Sequence, residues 1–460
     1  MSIFKPNIII FSTDDIGYGD LSCQGSDYIK TPNIDSLAAT GVKFNNWYSN
    51  SPVCSPSRAS LLTGKYPGNA GVRSILGGHR TASGLPNTTK TIASILKDAG
   101  YDTYMAGKWH LGVLEENRPH NHGFDKWFGH LAGCIDYYSH IFYWGMNYPN
   151  EKGKNSNPVH DLWEDNVEIW RNGEYFTELI TEKSMEYLNA STRKANPFFL
   201  YVPYNAPHYP MHAPQKYVDR FPELPWDKQI MAAMISAVDD SIGEIITFLK
   251  QNNLLDNTLI MFTGDNGPSR ESRNWLDGSL DLYYGGSTSK LKGHKFSLFD
   301  GGIKVPNIIS FPDKIAGDWS SNQACMSMDF LPTVLDFLNV DTSSYEFNGI
   351  SIRSHLQNKT PLLSRSIYWE QDSFQSDWES HSSQRDQSHQ TAILKDNWKL
   401  VVNGRLVEFA QPVAEVFLSN LAEDISESNN LKNEYSEIAK DLELEALNWR
   451  SEIEKIPIVG

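Results

Sequence analysis

Two neighbouring carboxylates, Asp14 and Asp15, close a short apolar run, and an acid and amide pair, Asp265 and Asn266, closes another far along the chain. These four side chains offer only oxygen donors, which favours a hard cation such as calcium or magnesium over zinc. Adjacent carboxylates at an apolar strand end repel each other, and a cation relieves that cost. The competing reading is that one pair binds metal and the other caps a helix. Two more apolar runs end in Lys108-Trp109-His110 and in Asn205-Ala206-Pro207-His208. Ammonium and imidazole groups of this kind hold anions and move protons. Polar residues after a strand are also ordinary turn formers. Here, however, four such sets fall at equivalent places, and open α/β sheets bind their ligands beyond the carboxyl ends of the strands.

The stretch from Cys54 to Gly64 is the densest in chemistry. Locally it reads as a helix capped by Ser55, with Pro56 in its first turn and Gly64 just past its end, so that Cys54 lies at the positive end of the helix dipole. That position suits an anion and would activate a bare thiol. The alternative for an isolated cysteine is a small buried hydrophobe.

Cys54-Ser55-Pro56-Ser57-Arg58, followed by Ala59 through Gly64, resembles the C-x-P-S-R-x-x-x-L-x-G signature of type I sulfatases, in which a maturation enzyme oxidises the cysteine to formylglycine. The resemblance covers nearly the whole chain. Residues 7–20 are similar to the family's opening strand and metal loop, 107–112 to its second signature, and 262–267 to its second metal loop. Residues 291–302 are similar to its lysine loop, with Asp300 where Glu is more usual. The resemblance implies an alkaline-phosphatase-like sulfatase fold. It also implies that Asp14, Asp15, Asp265, Asn266 and the modified Cys54 surround one calcium ion, with magnesium second. Arg58, Lys108, His110, His208 and Lys295 then fall at catalytic and sulfate-binding positions. One hydroxyl of the hydrated aldehyde at residue 54 would attack sulfur and the other would expel sulfate. In this scheme Arg58 supports the diol, His110 assists its deprotonation, and His208 protonates the leaving alcohol.

The segment 132–140, ending Asp136-Tyr137-Tyr138-Ser139-His140, resembles the Tyr-Ser-His segment of arylsulfatases A and B, and its Asp-Tyr-Tyr-Ser-His version that of N-acetylgalactosamine-4-sulfatase. Ser139 and His140 are therefore expected to contact sulfate or sugar; the alternative is a tyrosine-rich turn packed on the sheet. Aromatic and histidine side chains between Tyr137 and Trp170 suit stacking on sugar rings, and equally suit loop packing. The expected substrate is a sulfated galactose-type sugar of a glycosaminoglycan or algal galactan. A phosphatase or phosphonate monoester hydrolase of the same superfold would reuse the metal loops, but the complete cysteine and lysine-loop patterns favour sulfate. A noncatalytic glycan-binding relative is expected to lack one of Cys54, Lys108, His208 or Lys295, and all are present.

The elements that must hold these groups follow from patterning. Apolar runs at 7–11, 101–105, 197–202 and 258–262 are too short for helices and mostly lack polar alternation, as in parallel strands buried on both faces. Amphipathic segments between them have helix start and stop signals: Thr31-Pro32 and Gly41, Thr91 and Gly100, with a longer stretch at 227–251. The expectation is an α/β catalytic domain, 1–365, whose large, mixed and mostly parallel sheet is flanked by helices. A smaller α+β subdomain, 366–460, follows. It begins with a polar stretch at 373–390 and continues with antiparallel strands at 391–394, 398–402 and 416–421 and one helix at 434–453.

Over 460 residues, 40% hydrophobic and 21% charged side chains exclude a disordered, collagenous or coiled-coil chain. A formal charge of −16 argues against general affinity for nucleic acid or anionic membrane, so any anionic ligand must be attracted locally. Cys23, Cys54, Cys134 and Cys325 match neither a zinc-ligand spacing nor a small disulfide scaffold. No apolar run approaches the ~20 residues of a membrane span, and the opening residues lack the apolar region of a signal peptide. The chain as it stands is expected to be cytoplasmic, or periplasmic or secreted had a signal been trimmed. Its expected partners are a sulfated carbohydrate and the formylglycine-generating maturation enzyme.

Overall fold

Every residue of the Asn7–Thr13 strand is buried, and its side chains divide by parity between two cores. Ile9 and Phe11 cluster with helices Phe176–Ser191 and Trp226–Gln251. Ile8 and Ile10 cluster with helices Cys54–Thr63, Ile92–Asp98 and Phe330–Phe337. A continuous apolar run thus marks a strand covered on both faces. The computed structural model describes residues 5–142, 159–271, 283–372, 389–406 and 412–457.

Among the described residues the large sheet has ten strands. Their order is Trp319–Ser321, Gly41–Phe44, Asn307–Ser310, Thr258–Gly264, Asn7–Thr13, Phe198–Pro203, Asp102–Lys108, Lys126–His130, Trp163–Glu164 and Val167–Glu168. The five central strands, from Thr258–Gly264 to Lys126–His130, run parallel, and antiparallel pairings flank them. Four of these five are the expected apolar runs. A Cβ at Gly107 would sit 2.0 Å from the Pro203 carbonyl oxygen, so only glycine allows this approach of the two strands just before Lys108. Helices Pro32–Thr40, Ile92–Asp98 and Trp226–Gln251 occupy the amphipathic segments. No helix of the described residues is long and apolar enough to cross a membrane.

A second sheet, Ser366–Gln371, Gln390–Lys395, Trp398–Val402 and Val416–Asn420, is antiparallel throughout. Ala392 and Leu394 on one face cluster with Leu298, Phe299 and Met328, whereas Ile393, Leu400 and Leu418 cluster with Ala439, Leu442 and Ala446 of helix Ser436–Glu454. The small sheet is therefore apolar on both faces, one against the segment after Leu298 and one against the terminal helix. Of the polar stretch at 373–390, residues 373–388 lie outside the described residues and Gln390 opens a strand.

Candidate active site

Strand register brings the chemistry together. Beyond the ends of three adjacent strands, Asp265 N donates to Thr13 O at 3.0 Å, Asp14 N to Ala206 O at 3.2 Å and Tyr204 N to Ser12 O at 2.8 Å. Asp14, Asp265 and the 205–208 turn consequently sit side by side, with Lys108 ending the next strand. Asp15 and His110 adopt φ of 62° and 53°, a sparsely populated region for residues other than glycine and one that clusters at functional sites.

All ten residues of helix Cys54–Thr63 are buried, and Gly64 follows it in the left-handed conformation. Its start differs from expectation. Val53 takes the capping position without a side-chain bond, while the Ser55 hydroxyl lies inside the first turn and accepts from Leu76 N at 3.1 Å. Cys54 Sγ donates to Asp14 Oδ1 at 3.4 Å. Burial, then Asp14, push this thiol well above its ordinary range against the pull of Lys108 and Lys295. The activation expected of a bare thiol is therefore absent, because desolvation and a neighbouring carboxylate outweigh the helix end.

Three carboxylates and three cations are buried beside it. Lys108 Nζ pairs with Asp14 Oδ2, Lys295 Nζ with Asp15 Oδ2 at 2.9 Å, and Arg58 Nη2 with Asp265 Oδ2 at 2.8 Å. Burial, reinforced by Asp14 and only partly offset by Lys295, raises Asp15 to about 6. Burial and Asp14 raise Asp265 to about 7 despite Arg58. Burial pulls Asp14 the same way, but Lys108, His208, Arg58 and Lys295 outweigh it and hold that carboxyl well below the usual range. Arg58 also donates from Nη1 to Lys108 O at 3.0 Å. It thereby locks helix, strand end and acid together.

The two histidines are held as neutral bases. His208 Nδ1 lies 2.8 Å from Tyr209 O and so carries the proton, leaving the Nε2 lone pair to accept from Lys295 Nζ at 3.2 Å. By the same logic His110 donates from Nε2 to Leu76 O at 3.2 Å, and its buried Nδ1 has no hydrogen-bond partner among the described residues. Burial, with Lys295 at His208 and Lys108 at His110, lowers both well below the ordinary histidine value.

Cys54, His110, His208 and Lys295 line one cavity. Glu271 and Tyr209 join them, and Ile75, Leu76, Cys134 and Phe142 form an apolar wall. Sequence reasoning misses these additions, although Tyr209 is adjacent to His208 and Cys134 lies within the 132–140 segment. Asp14, Asp15, Arg58, Lys108, Asp265 and Asn266 are buried but are not lining residues.

Ser139 and His140 are bonded within their own turn. Ser139 N and Oγ both donate to Asp136 Oδ1, at 2.7 and 2.9 Å, and His140 N donates to Asp136 O at 2.9 Å. The fully buried His140 ring has Nε2 3.2 Å from Glu174 O. Neither residue lines the cavity; Cys134 and Phe142, on either side of the turn, do. Of the aromatic stretch between Tyr137 and Trp170, residues 143–158 lie outside the described residues.

The donor set fits a divalent metal. Ligand atoms of Asp14, Asp15, Cys54 and His208 all lie within 4.8 Å of one another. Asp15 N donates to Asp265 Oδ1 at 3.3 Å, and Asn266 Nδ2 to Asp15 Oδ1 at 2.6 Å, which places the other two expected ligands alongside. Asn266 Oδ1 is buried without a hydrogen-bond partner among the described residues, an orphaned oxygen of the sort a cation satisfies. The cluster is not purely of oxygen, since a thiol and an imidazole adjoin it.

Residues 6–340 match the family described as Sulfatase, and residues 294–452 the one described as N-sulphoglucosamine sulphohydrolase, C-terminal. The chain is 34% identical to Arylsulfatase J of Mus musculus over 67% of its own length and 48% of that protein. It is 32% identical to N-acetylgalactosamine-6-sulfatase of the same organism over 74% of its own length and 64% of the relative. It thus spans from about half to just under two thirds of the length of these two curated relatives. The crystal structure of Ps i-CgsB in complex with k-i-k-neocarrahexaose superimposes with a TM-score of 0.82 at 29% identity, covering 97% of this chain and 92% of that one.

Proposed function

The chain belongs to the sulfatase family, and from that premise we propose that it hydrolyses sulfate esters on a galactose-type sugar of a sulfated polysaccharide or glycosaminoglycan. The observation that carries this reading is the convergence of Cys54, His110, His208 and Lys295 on one cavity backed by the Asp14, Asp15 and Lys108 cluster. Relatives named for N-acetylgalactosamine and a structural neighbour in complex with k-i-k-neocarrahexaose support the sugar class.

Asp14, Asp15, Asp265 and Asn266, with residue 54, would hold calcium, which when bound supplies a Lewis acid for a sulfate oxygen. A maturation enzyme would convert Cys54 to formylglycine, whose hydrate supplies the nucleophilic hydroxyl that the high-pKa thiol does not. The remaining work falls to side chains. Arg58, Lys108 and Lys295 already balance three carboxylates, so a bound divalent ion leaves a local positive surplus in a chain of net charge −16. That surplus draws in and orients an anionic ester. His110 Nδ1, a buried lone pair without a hydrogen-bond partner among the described residues, accepts the proton of the attacking hydroxyl. His208, whose Nε2 lies 3.2 Å from Lys295 Nζ, is the residue assigned to pass a proton from water to the leaving alcohol, while Lys295 stays an ammonium beside Asp15. Arg58 supports residue 54 through Asp14 and Asp265.

Parallel assays on an aryl sulfate and the matching aryl phosphate, followed by sulfated oligosaccharides with products analysed by mass and NMR, test this reading. Preferential phosphate turnover would move the protein to the phosphatase and phosphonate hydrolase reading. The placement of Ser139 and His140 sets a further expectation. His140→Ala should lower kcat/KM for sugar and aryl sulfate by similar factors, with stability reduced by about 1–3 kcal/mol as a buried, hydrogen-bonded ring is lost. A loss confined to the sugar would instead make His140 a direct contact.

A further inference from the structure

The chain around Lys295 is gripped from the small C-terminal sheet. Gln390, first residue of the Gln390–Lys395 strand and buried, donates from Nε2 to Phe296 O at 2.8 Å. Its Oε1 accepts from Leu298 N at 3.4 Å and from Arg405 N at 3.1 Å. One amide therefore clasps both sides of the turn that follows Lys295 and ties it to a third segment. Phe296 needs such a clasp: its φ is 72°, a conformation that a bulky residue holds only when its surroundings over-determine it. From the opposite side, Phe296 N donates to Pro52 O at 3.0 Å, two residues before Cys54, and Lys295 N donates to Pro268 O at 3.0 Å, two residues after Asn266. The Phe296 ring packs with Val53 and Ile75. The Lys295 backbone is thus suspended between the Cys54 approach, the Asp265-Asn266 loop and Gln390.

We infer that Gln390 is a positioning residue for the reaction: by holding the strained Phe296 peptide it fixes where the Lys295 ammonium meets the substrate anion. The inference rests on the sulfatase reading, within which it assigns to the C-terminal sheet a part in sulfate capture. The Gln390 amide is engaged by Phe296 O, Leu298 N and Arg405 N and is not a lining residue of the cavity, so it is assigned no contact with substrate. Its effect must pass through Lys295, whose Nζ sits between Asp15 Oδ2 at 2.9 Å and His208 Nε2 at 3.2 Å. Relaxation of the Phe296 turn would move that ammonium relative to both partners.

The test is a double-mutant cycle in the full chain with an aryl sulfate, followed long enough to resolve very slow turnover. Gln390→Met keeps length and volume but removes the amide; it is expected to lower kcat/KM by about 10- to 100-fold, the range for a misplaced catalytic group. In a Lys295→Ala background the same substitution should change kcat/KM by no more than about two-fold, because the group it positions is gone. Gln390→Glu keeps an acceptor for Leu298 N and Arg405 N but loses the donor to Phe296 O, and serves as the milder probe should Gln390→Met not fold. Its loss should likewise vanish without Lys295. An equal loss in both backgrounds, or a folded Gln390 variant with unchanged kcat/KM, would overturn the inference. Absence of aryl sulfate turnover by the wild-type chain would instead overturn the reading beneath it.

Discussion

Replacing Cys54 with alanine is expected to cut sulfate-ester turnover by at least about 10,000-fold, the scale on which loss of a covalent nucleophile is felt, and to leave the fold intact. The side chain is 1% exposed and lines the cavity, yet its only hydrogen bond among the described residues is the long thiol contact to Asp14. Truncation therefore removes little packing, and the unfolding free energy should fall by only about 1 kcal/mol. Steady-state assay with an aryl sulfate, set beside thermal unfolding, separates the two effects. Peptide mass spectrometry of an active wild-type preparation should show the aldehyde or its hydrate at residue 54. Full activity in the alanine variant, or an active enzyme carrying only the thiol, would refute the nucleophile assignment.

Asp265→Ala is expected to act twice. It removes an expected metal ligand, so bound calcium should be lost and activity should fall by about 1,000-fold or more, as when preorganised charge stabilisation is withdrawn. It also removes the closer carboxylate from the buried Arg58 guanidinium, which bonds Asp265 Oδ2 from Nε at 3.0 Å and from Nη2 at 2.8 Å and is left with Asp14 Oδ2 at 3.7 Å. Breaking one side of a buried pair costs about 3–5 kcal/mol, so the melting temperature should drop visibly. Asp15→Asn keeps shape and leaves Arg58 paired, and should lose metal and activity with a smaller loss of stability. Elemental analysis decides the ion: stoichiometric zinc without calcium or magnesium in active enzyme would overturn the calcium assignment. Chelation of the wild type should reproduce the activity loss without the stability loss specific to Arg58.

Much of this architecture is legible in the amino-acid sequence, for a physical reason. Strands buried on both faces are uninterrupted apolar runs that stop abruptly where the chain meets polar ligands, so 7–11 and 258–262 announce both the strand and the acids that follow. Lys126–His130 escapes notice because its short run begins with Lys and ends with His. Ser366–Gln371 escapes because it mixes Tyr, Glu and Gln with Ile and Trp. Glu271 is adjacent to no recognisable strand end, and its place in the cavity depends on tertiary packing alone. Ser55 misleads because a serine before proline signals a cap equally well whether or not another backbone group, here Leu76 N, claims its hydroxyl. Ser139 and His140 come from a short motif whose local turn is what the structure displays. Cys134 and Phe142 on either side line the cavity, whereas Ser139 and His140 are held in a turn by Asp136 and do not.

The burial of helix Cys54–Thr63 bears on when the conversion proposed for Cys54 would have to take place. An enzyme that must grasp the backbone around Cys54 cannot do so once all ten residues of that helix are enclosed. The strand Asn7–Thr13, whose loop contributes Asp14, completes its pairing only with Phe198–Pro203 and Thr258–Gly264, and the latter emerges about 200 residues after Cys54. At roughly 5–20 residues per second of synthesis, that leaves a window on the order of 10–40 s in which Cys54 is outside any closed core. Were Cys54 converted as proposed, by an enzyme that needs its extended backbone, the conversion would have to precede closure of the sheet. A preparation made faster than its modifying enzyme can keep pace should contain two populations, identical in fold and differing at one side chain, with specific activity tracking their ratio.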